Sequence, residues 1–201
     1  MGLAMSISPS FTFAQNRDQV IGHGNFQYQV DPKWGMLDPA KVPVNNCHEM
    51  VMDRKGRMIM VTDEPKNNVI IYDQSGKFLN SWTLGMDRAH GLTLVDEGDA
   101  EYLWVSDNAG RVVKTTLDGT IVAEIAAPAT EGIYTEKMAY VPTETTVAPN
   151  GDLYIADGYG SQFFLHYDKN GKFIRKFGGS GSGDAQFSTA HGITVDQRGG
   201  K

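Results

Sequence analysis

Three histidines in this chain occupy the same place in a repeating pattern. His48 opens HEMVMDRKGRMIM, His90 opens HGLTLVDEGDAEYLWV and His191 opens HGITVDQRGGK. A fourth copy opens on Thr143, in TETTVAPNGDLYIADGYG. The four starts are 42, 53 and 48 residues apart. Imidazoles brought to one point suit a divalent ion such as zinc, iron or copper. Thr143 would then supply a hydroxyl or leave an opening, and an open position separates a catalytic metal site from a structural one. Such an ion polarises a substrate oxygen. Tyr159, after the Asp157-Gly158 turn, could accept a proton if the fold brings it near that ion.

These side chains meet only if the repeats place them together. A glycine follows each start by eight residues: Gly56, Gly98, Gly151 and Gly199. An aspartate closes the second strand of each complete unit (Asp63, Asp107, Asp157), and Gly76, Gly119 and Gly171 mark the third turn. In the unit starting at Thr143 the spacing predicts strands over 145–148, 153–156, 163–167 and 173–177. Asn150-Gly151 and Asn170-Gly171 predict two-residue hairpins with positive φ at both central positions. Four antiparallel strands in about 45 residues form one propeller blade. The fold class is therefore all-β, a β-propeller. Each unit start should lie at the mouth of an innermost strand, where equivalent positions converge on the axis.

Units starting at 48, 90 and 143 are complete, and that at 191 stops after its first predicted strand. A ring needs at least four blades, so residues 16–201 read as a partial propeller, a fragment short of roughly 100 to 150 residues. The segment 124–142 reads as an inter-blade loop lying over the channel. The segment 26–35 reads as an outer strand that joins the last blade.

Composition narrows the partners. Of 201 residues, 18 are Lys or Arg and 24 are Asp or Glu, a net charge of −6 with no basic cluster. That excludes a phosphate-binding surface, hence nucleic acid. No apolar run is long enough for a spanning helix. The single cysteine, Cys47, excludes an intrachain disulfide framework. Residues 1–15, MGLAMSISPSFTFAQ, read as a signal peptide cut short at its start or as a disordered leader. The first reading makes the protein exported, periplasmic or extracellular.

Several residues have plainer readings. His166 reads as a satisfied blade residue, and His23, in a loop, receives no role. Asp63, Asp107 and Asp157 read as turn-capping groups. Cys47 reads as a small buried hydrophobe rather than a soft ligand. The run Gly178–Gly183 lacks the Lys-Ser/Thr of a phosphate loop and reads as a blade connection.

The segments HGITVD at 191, GDLYIADGYG at 151 and YDKNGKFIRKFGGSGSGDAQFSTAHG at 167 resemble NHL repeats over about residues 26–201. That resemblance implies a six-bladed propeller and leaves the activity open. Within that group the chain is similar to the peptidyl-α-hydroxyglycine α-amidating lyases, through Ala89-His90-Gly91-Leu92, Val141-Pro142-Thr143, Ile155-Ala156-Asp157-Gly158-Tyr159 and Ala190-His191-Gly192-Ile193. It implies His90 and His191 as zinc ligands and Tyr159 as the base. His48 stands where the lyases have no ligand histidine. Their arginine after the second strand is replaced by Val61-Thr62-Asp63-Glu64.

Together these readings predict a metal-dependent lyase, cleaving the C–N bond of a carbinolamide, or a related hydrolase. The expected substrate is a small molecule or peptide. The expected metal set is His90, His191 and His48, holding zinc, with iron or copper as substitutes; a structural calcium is left open. The alternative is a non-catalytic propeller that presents loops to a protein or glycan.

Overall fold

The computed structural model describes residues 20–125, 127–128, 133–135, 137–196 and 198. The leader 1–15 and Gly199 lie outside these residues. The chain divides into two compact units, Met1–Trp34 and Gly35–Lys201.

In the first unit, β1 (Val20–His23) and β2 (Phe26–Gln29) form an antiparallel hairpin. The expected outer strand at 26–35 is thus a shorter strand with a local partner. His23, expected in a loop, ends β1.

The second unit contains three four-stranded antiparallel sheets, each a blade in simple sequential order. Blade one is β3 (Cys47–Met52), β4 (Met58–Thr62), β5 (Val69–Tyr72) and β6 (Phe78–Trp82). Blade two is β7 (Ala89–Asp96), β8 (Glu101–Asp107), β9 (Arg111–Thr116) and β10 (Ile121–Ile125). Blade three is β11 (Glu144–Val147), β12 (Leu153–Ala156), β13 (Phe163–Tyr167) and β14 (Phe173–Gly178). No helix among the described residues is long and apolar enough to cross a membrane.

Period-two side-chain alternation lets one strand serve two interfaces. In β8, Leu103 and Val105 join Ile59, Val61, Val69 and Ile71 in a core between blades one and two. Trp104, between them in sequence, joins Leu153, Ile155 and Leu165 in the core between blades two and three. Both faces of the middle blade are covered, so its second strand carries consecutive buried apolar residues, Leu103 to Val105, where a half-exposed strand would alternate. The loop expected over the channel instead packs Ile133, Tyr134, Met138 and Tyr140 against this second core.

The hairpins differ from expectation in type. Gly151 takes φ 87°, but Asn150 is not left-handed. The Gly151 N–H donates to the Ala148 carbonyl and the Ala148 N–H to the Asp152 carbonyl. This is a three-residue loop, a type I turn closed by a left-handed glycine. Four other turns repeat the same bonding, at Gly56, Gly76, Gly119 and Gly171. At three of them an aspartate (Asp53, Asp73, Asp168) also accepts the N–H groups two and four residues on.

Of the strands, β7 packs against both β3 and β11, so the first strands of the three blades meet. Residues 190–196, the start of the fourth unit, form no strand. A strand is held by ladder hydrogen bonds, and the described residues after 191 supply no second strand for one.

Candidate functional site

His48 lies in β3, His90 in β7, Tyr159 in the turn from β12 to β13, and His191 in the segment after β14. The structure brings all four rings together, with His90 at the centre. Its ring centroid is 4.4 Å from that of His48, stacked at 30°. It is 4.8 Å from that of His191 and 5.1 Å from that of Tyr159, both edge-on. Tyr159 and His191 are 5.4 Å apart.

The hydrogen bonds fix the chemical state of His90. Its Nδ1 lies 3.0 Å from the Thr143 carbonyl oxygen. A carbonyl only accepts, so Nδ1 carries the proton. In the neutral ring Nε2 then holds the lone pair. The Tyr159 hydroxyl, 3.3 Å from Nε2, donates to it. Burial pushes the His90 pKa below the ordinary histidine value; the Thr143 bond opposes this, and His48 and His191 add to it. His90 is 4% exposed, whereas Tyr159 is 44% exposed. The tyrosine therefore links a buried imidazole to the surface.

Thr143, expected to offer a hydroxyl or an opening, does neither. Its Oγ1 donates its one proton to the Ala190 carbonyl at 2.9 Å, with the Ala156 carbonyl 3.2 Å away. Its carbonyl accepts from Ser106 Oγ as well as from His90. His48 faces Asp63, with Nε2 3.7 Å from Oδ2. Asp63 is itself held by the backbone N–H and side-chain amide of Asn46, at 2.9 and 2.8 Å.

The other aspartates behave as turn caps. Asp107 accepts the Ala109 N–H. Asp157 accepts the N–H groups of Val141 and Ser161 and the hydroxyl of Tyr134. Cys47, expected buried, is exposed; it is the first residue of β3, at a break in that strand's register with β4 and ahead of the strand's packed part. His166 Nε2 bonds Asp152 at 2.8 Å and its ring stacks on Tyr154 at 4.3 Å, away from the cluster.

The three histidines line one end of a cavity of about 540 Å³. Two further residues of its wall, Glu49 and Glu144, were not singled out by the sequence. Glu49 accepts the Leu92 N–H at 2.9 Å. Glu144 accepts the Thr93 hydroxyl at 3.0 Å and the Thr145 N–H at 2.7 Å. An innermost strand has no ladder partner on one side, and its outward N–H groups need acceptors; these carboxyls contribute them. Burial, with a hydrogen bond to Glu49, holds Glu144 far above the usual carboxylate range.

No protein-family model matches the chain. It is 24% identical over 182 residues to the human NHL repeat-containing protein 3, covering 86% of this chain and 52% of that protein. The mouse protein of the same name is 24% identical over 157 residues, 73% and 45% of the two chains. The chain spans about half the length of the curated relatives it matches. Among solved structures, a protein of unknown function from Bacteroides caccae superposes with a TM-score of 0.51 at 20% identity, covering 65% of this chain and 48% of that one. The likeness to solved structures is one of fold, and the relatives support an NHL-type β-propeller.

Proposed function

From an NHL-type propeller scaffold with histidines gathered at its axis, we propose a metal-dependent lyase or hydrolase. It would act on a small substrate or peptide entering the cavity. One observation carries this reading: His90 is anchored through Nδ1 to a carbonyl, with its Nε2 lone pair turned toward Tyr159 and its ring beside His191. Carbonyl-anchored imidazoles are how proteins present nitrogen to zinc-type ions. Among the described residues no three His, Cys, Asp or Glu side chains form a ready-made metal group. An ion here would rest on His90 and His191, with His48 stacked behind, and would leave positions open for substrate. When bound, it would supply Lewis acidity to a substrate oxygen.

The chain's own residues divide the remaining work. Thr143 fixes the imidazole tautomer. Tyr159, half in solvent, holds or accepts a proton at Oη, passing it between the substrate hydroxyl and the surface. In the carbinolamide reaction the hydroxyl gives up its proton as the C–N bond breaks and the carbonyl forms, and the departing amide nitrogen takes up a proton in exchange, by way of Tyr159 or solvent. An exported setting belongs to the same proposal and rests on the residue types of 1–15.

The second reading is a non-catalytic propeller that binds a protein or glycan, and it is favoured by the ring packing itself. His48 stacked on His90 at 30° is an aromatic contact rather than two nitrogens aimed at one point. Elemental analysis of the purified protein beside a His90→Ala/His191→Ala variant separates the two. About one transition metal per chain, lost in the variant, supports the enzyme. No metal in either protein sinks it and leaves the binding propeller.

A further inference from the structure

We infer that Gln162 is a positioning residue for the axial cluster, bolting the turn that carries Tyr159 to the segment that carries His191. This deepens the axial-site reading above and rests on it. The Gln162 side-chain Nε2 donates to the Gly158 carbonyl at 2.6 Å, and its Oε1 accepts the Ala190 N–H at 2.8 Å. Gly158 immediately precedes Tyr159, and Ala190 immediately precedes His191. One planar amide thus spans the two backbones whose next residues place their rings 5.4 Å apart. The Ala190 carbonyl is held as well, by Thr143 Oγ1, so both polar groups of the residue before His191 are fixed.

The bolt is itself held tightly. Gln162 is 9% exposed. Its own N–H donates to the Asp157 carbonyl, and its carbonyl accepts from Gly179, at 2.9 and 2.8 Å. Its φ is 63°, a left-handed backbone that residues with a side chain seldom adopt. Glycine would take that conformation freely but would lose both side-chain bonds.

A second amide repeats the arrangement. Asn68 precedes β5 as Gln162 precedes β13. Its Nδ2 donates to the Met86 carbonyl at 2.6 Å, and its Oδ1 accepts the Met86 N–H at 3.0 Å. Met86 lies just before β7 and His90. The corresponding residue of blade two, before β9, is Gly110, with no side chain to offer. The unit that follows it starts with Thr143 rather than a histidine. An amide bolt therefore precedes His90 and His191, and none precedes the start that carries no imidazole.

The test is nuclear magnetic resonance on the full 201-residue chain with Gln162→Gly and Gln162→Met. The glycine variant keeps the left-handed backbone and so folds, losing only the bolt. In both variants the Ala190 amide should exchange about tenfold faster. The imidazole resonances of His191 and the ring resonances of Tyr159 should shift, while those of His166 and the Met86 amide stay in place. Unmoved His191 and Tyr159 resonances would overturn the assignment. So would equal shifts at His166 and Met86, which would mark a general loosening. The measurement needs neither metal nor substrate. Shifts as expected together with no metal in the elemental analysis would sink the enzyme reading alone, and metal found by that analysis together with unmoved resonances would sink the bolt alone.

Discussion

His90 Nδ1 and the carbonyl oxygen of Thr143 lie 3.0 Å apart, across the seam between blades two and three. The bond makes the buried imidazole an acceptor at Nε2 and ties its orientation to the start of the following repeat. Ser106 Oγ donates to the same carbonyl at 3.0 Å, so the anchor is held from two sides. What reaches Nε2 then decides what the cluster can do.

In this structure the Tyr159 hydroxyl reaches it. Tyr159→Phe removes one partly exposed hydrogen bond and should change stability by no more than about 1 kcal/mol. The freed lone pair should bind zinc more tightly, read by isothermal titration, while any turnover falls. Weaker zinc binding in the variant would instead make the phenolic oxygen a ligand.

Gly158 lies directly on Ala190. A Cβ there would run into the Ala190 carbonyl oxygen and stand 2.7 Å from Thr143 Oγ1. These are backbone and a bonded hydroxyl, neither of which yields easily. Gly158→Ala should cost about 1–3 kcal/mol in urea unfolding and separate Tyr159 from His191. A variant as stable as the parent would show the seam to be loose.

Glu144 gives stability a slope against pH. Its folded pKa is raised by burial and by Glu49, against an ordinary value of about 4.3. Between those values the folded state binds the proton and the unfolded state does not. Stability from this group is therefore full below the ordinary value and falls as pH rises through neutrality, by at most about 1.4 kcal/mol per pH unit. Glu144→Gln should flatten the slope and be the more stable form in mild alkali. Urea midpoints at acid, neutral and alkaline pH check this; identical slopes would mean that the folded protein ionises Glu144.

Asn68 is fully buried, and its amide serves the backbone of Thr62, Glu64, Leu84 and Met86. Asn68→Ala leaves several of those groups without partners in the interior. At about 1–3 kcal/mol each, the expected loss is about 3 kcal/mol or more, measured by denaturant unfolding. A loss below about 1 kcal/mol would mean that water replaces the amide.

Repeat spacing made the blades legible: the strands of blade three fall within one residue of the runs read from alternation and turn glycines. The meeting of His48, His90 and His191 was legible for the same reason, since equivalent repeat positions approach one axis, whereas Tyr159 was legible only through the resemblance of Ile155–Tyr159 to the lyase motif. The turn type was not, because Asn-Gly serves both a two-residue hairpin and a type I turn; at three of the turns an aspartate three residues before the glycine caps the type I turn, but the same turn forms at Gly119 and Gly151 without one. Glu49 and Glu144 were hidden inside strands, where a charged residue usually faces solvent. Gln162 and Asn68 were hidden in turns, where an amide is ordinary; only their partners, 28 and 18 residues on, set them apart. The signal available was their shared place before the third strand.

The amide bolts also decide which parts of the cluster travel together. Gln162 fastens the approach to His191 to the blade that carries Tyr159, so this pair rides on one body. His90 follows a connector that Asn68 fastens to blade one, and it reaches the pair through Thr143 and the tyrosine hydroxyl. Any rotation of blade three against its neighbour would carry Tyr159 and His191 together, and would have to break the His90–Thr143 bond before it parted them from His90.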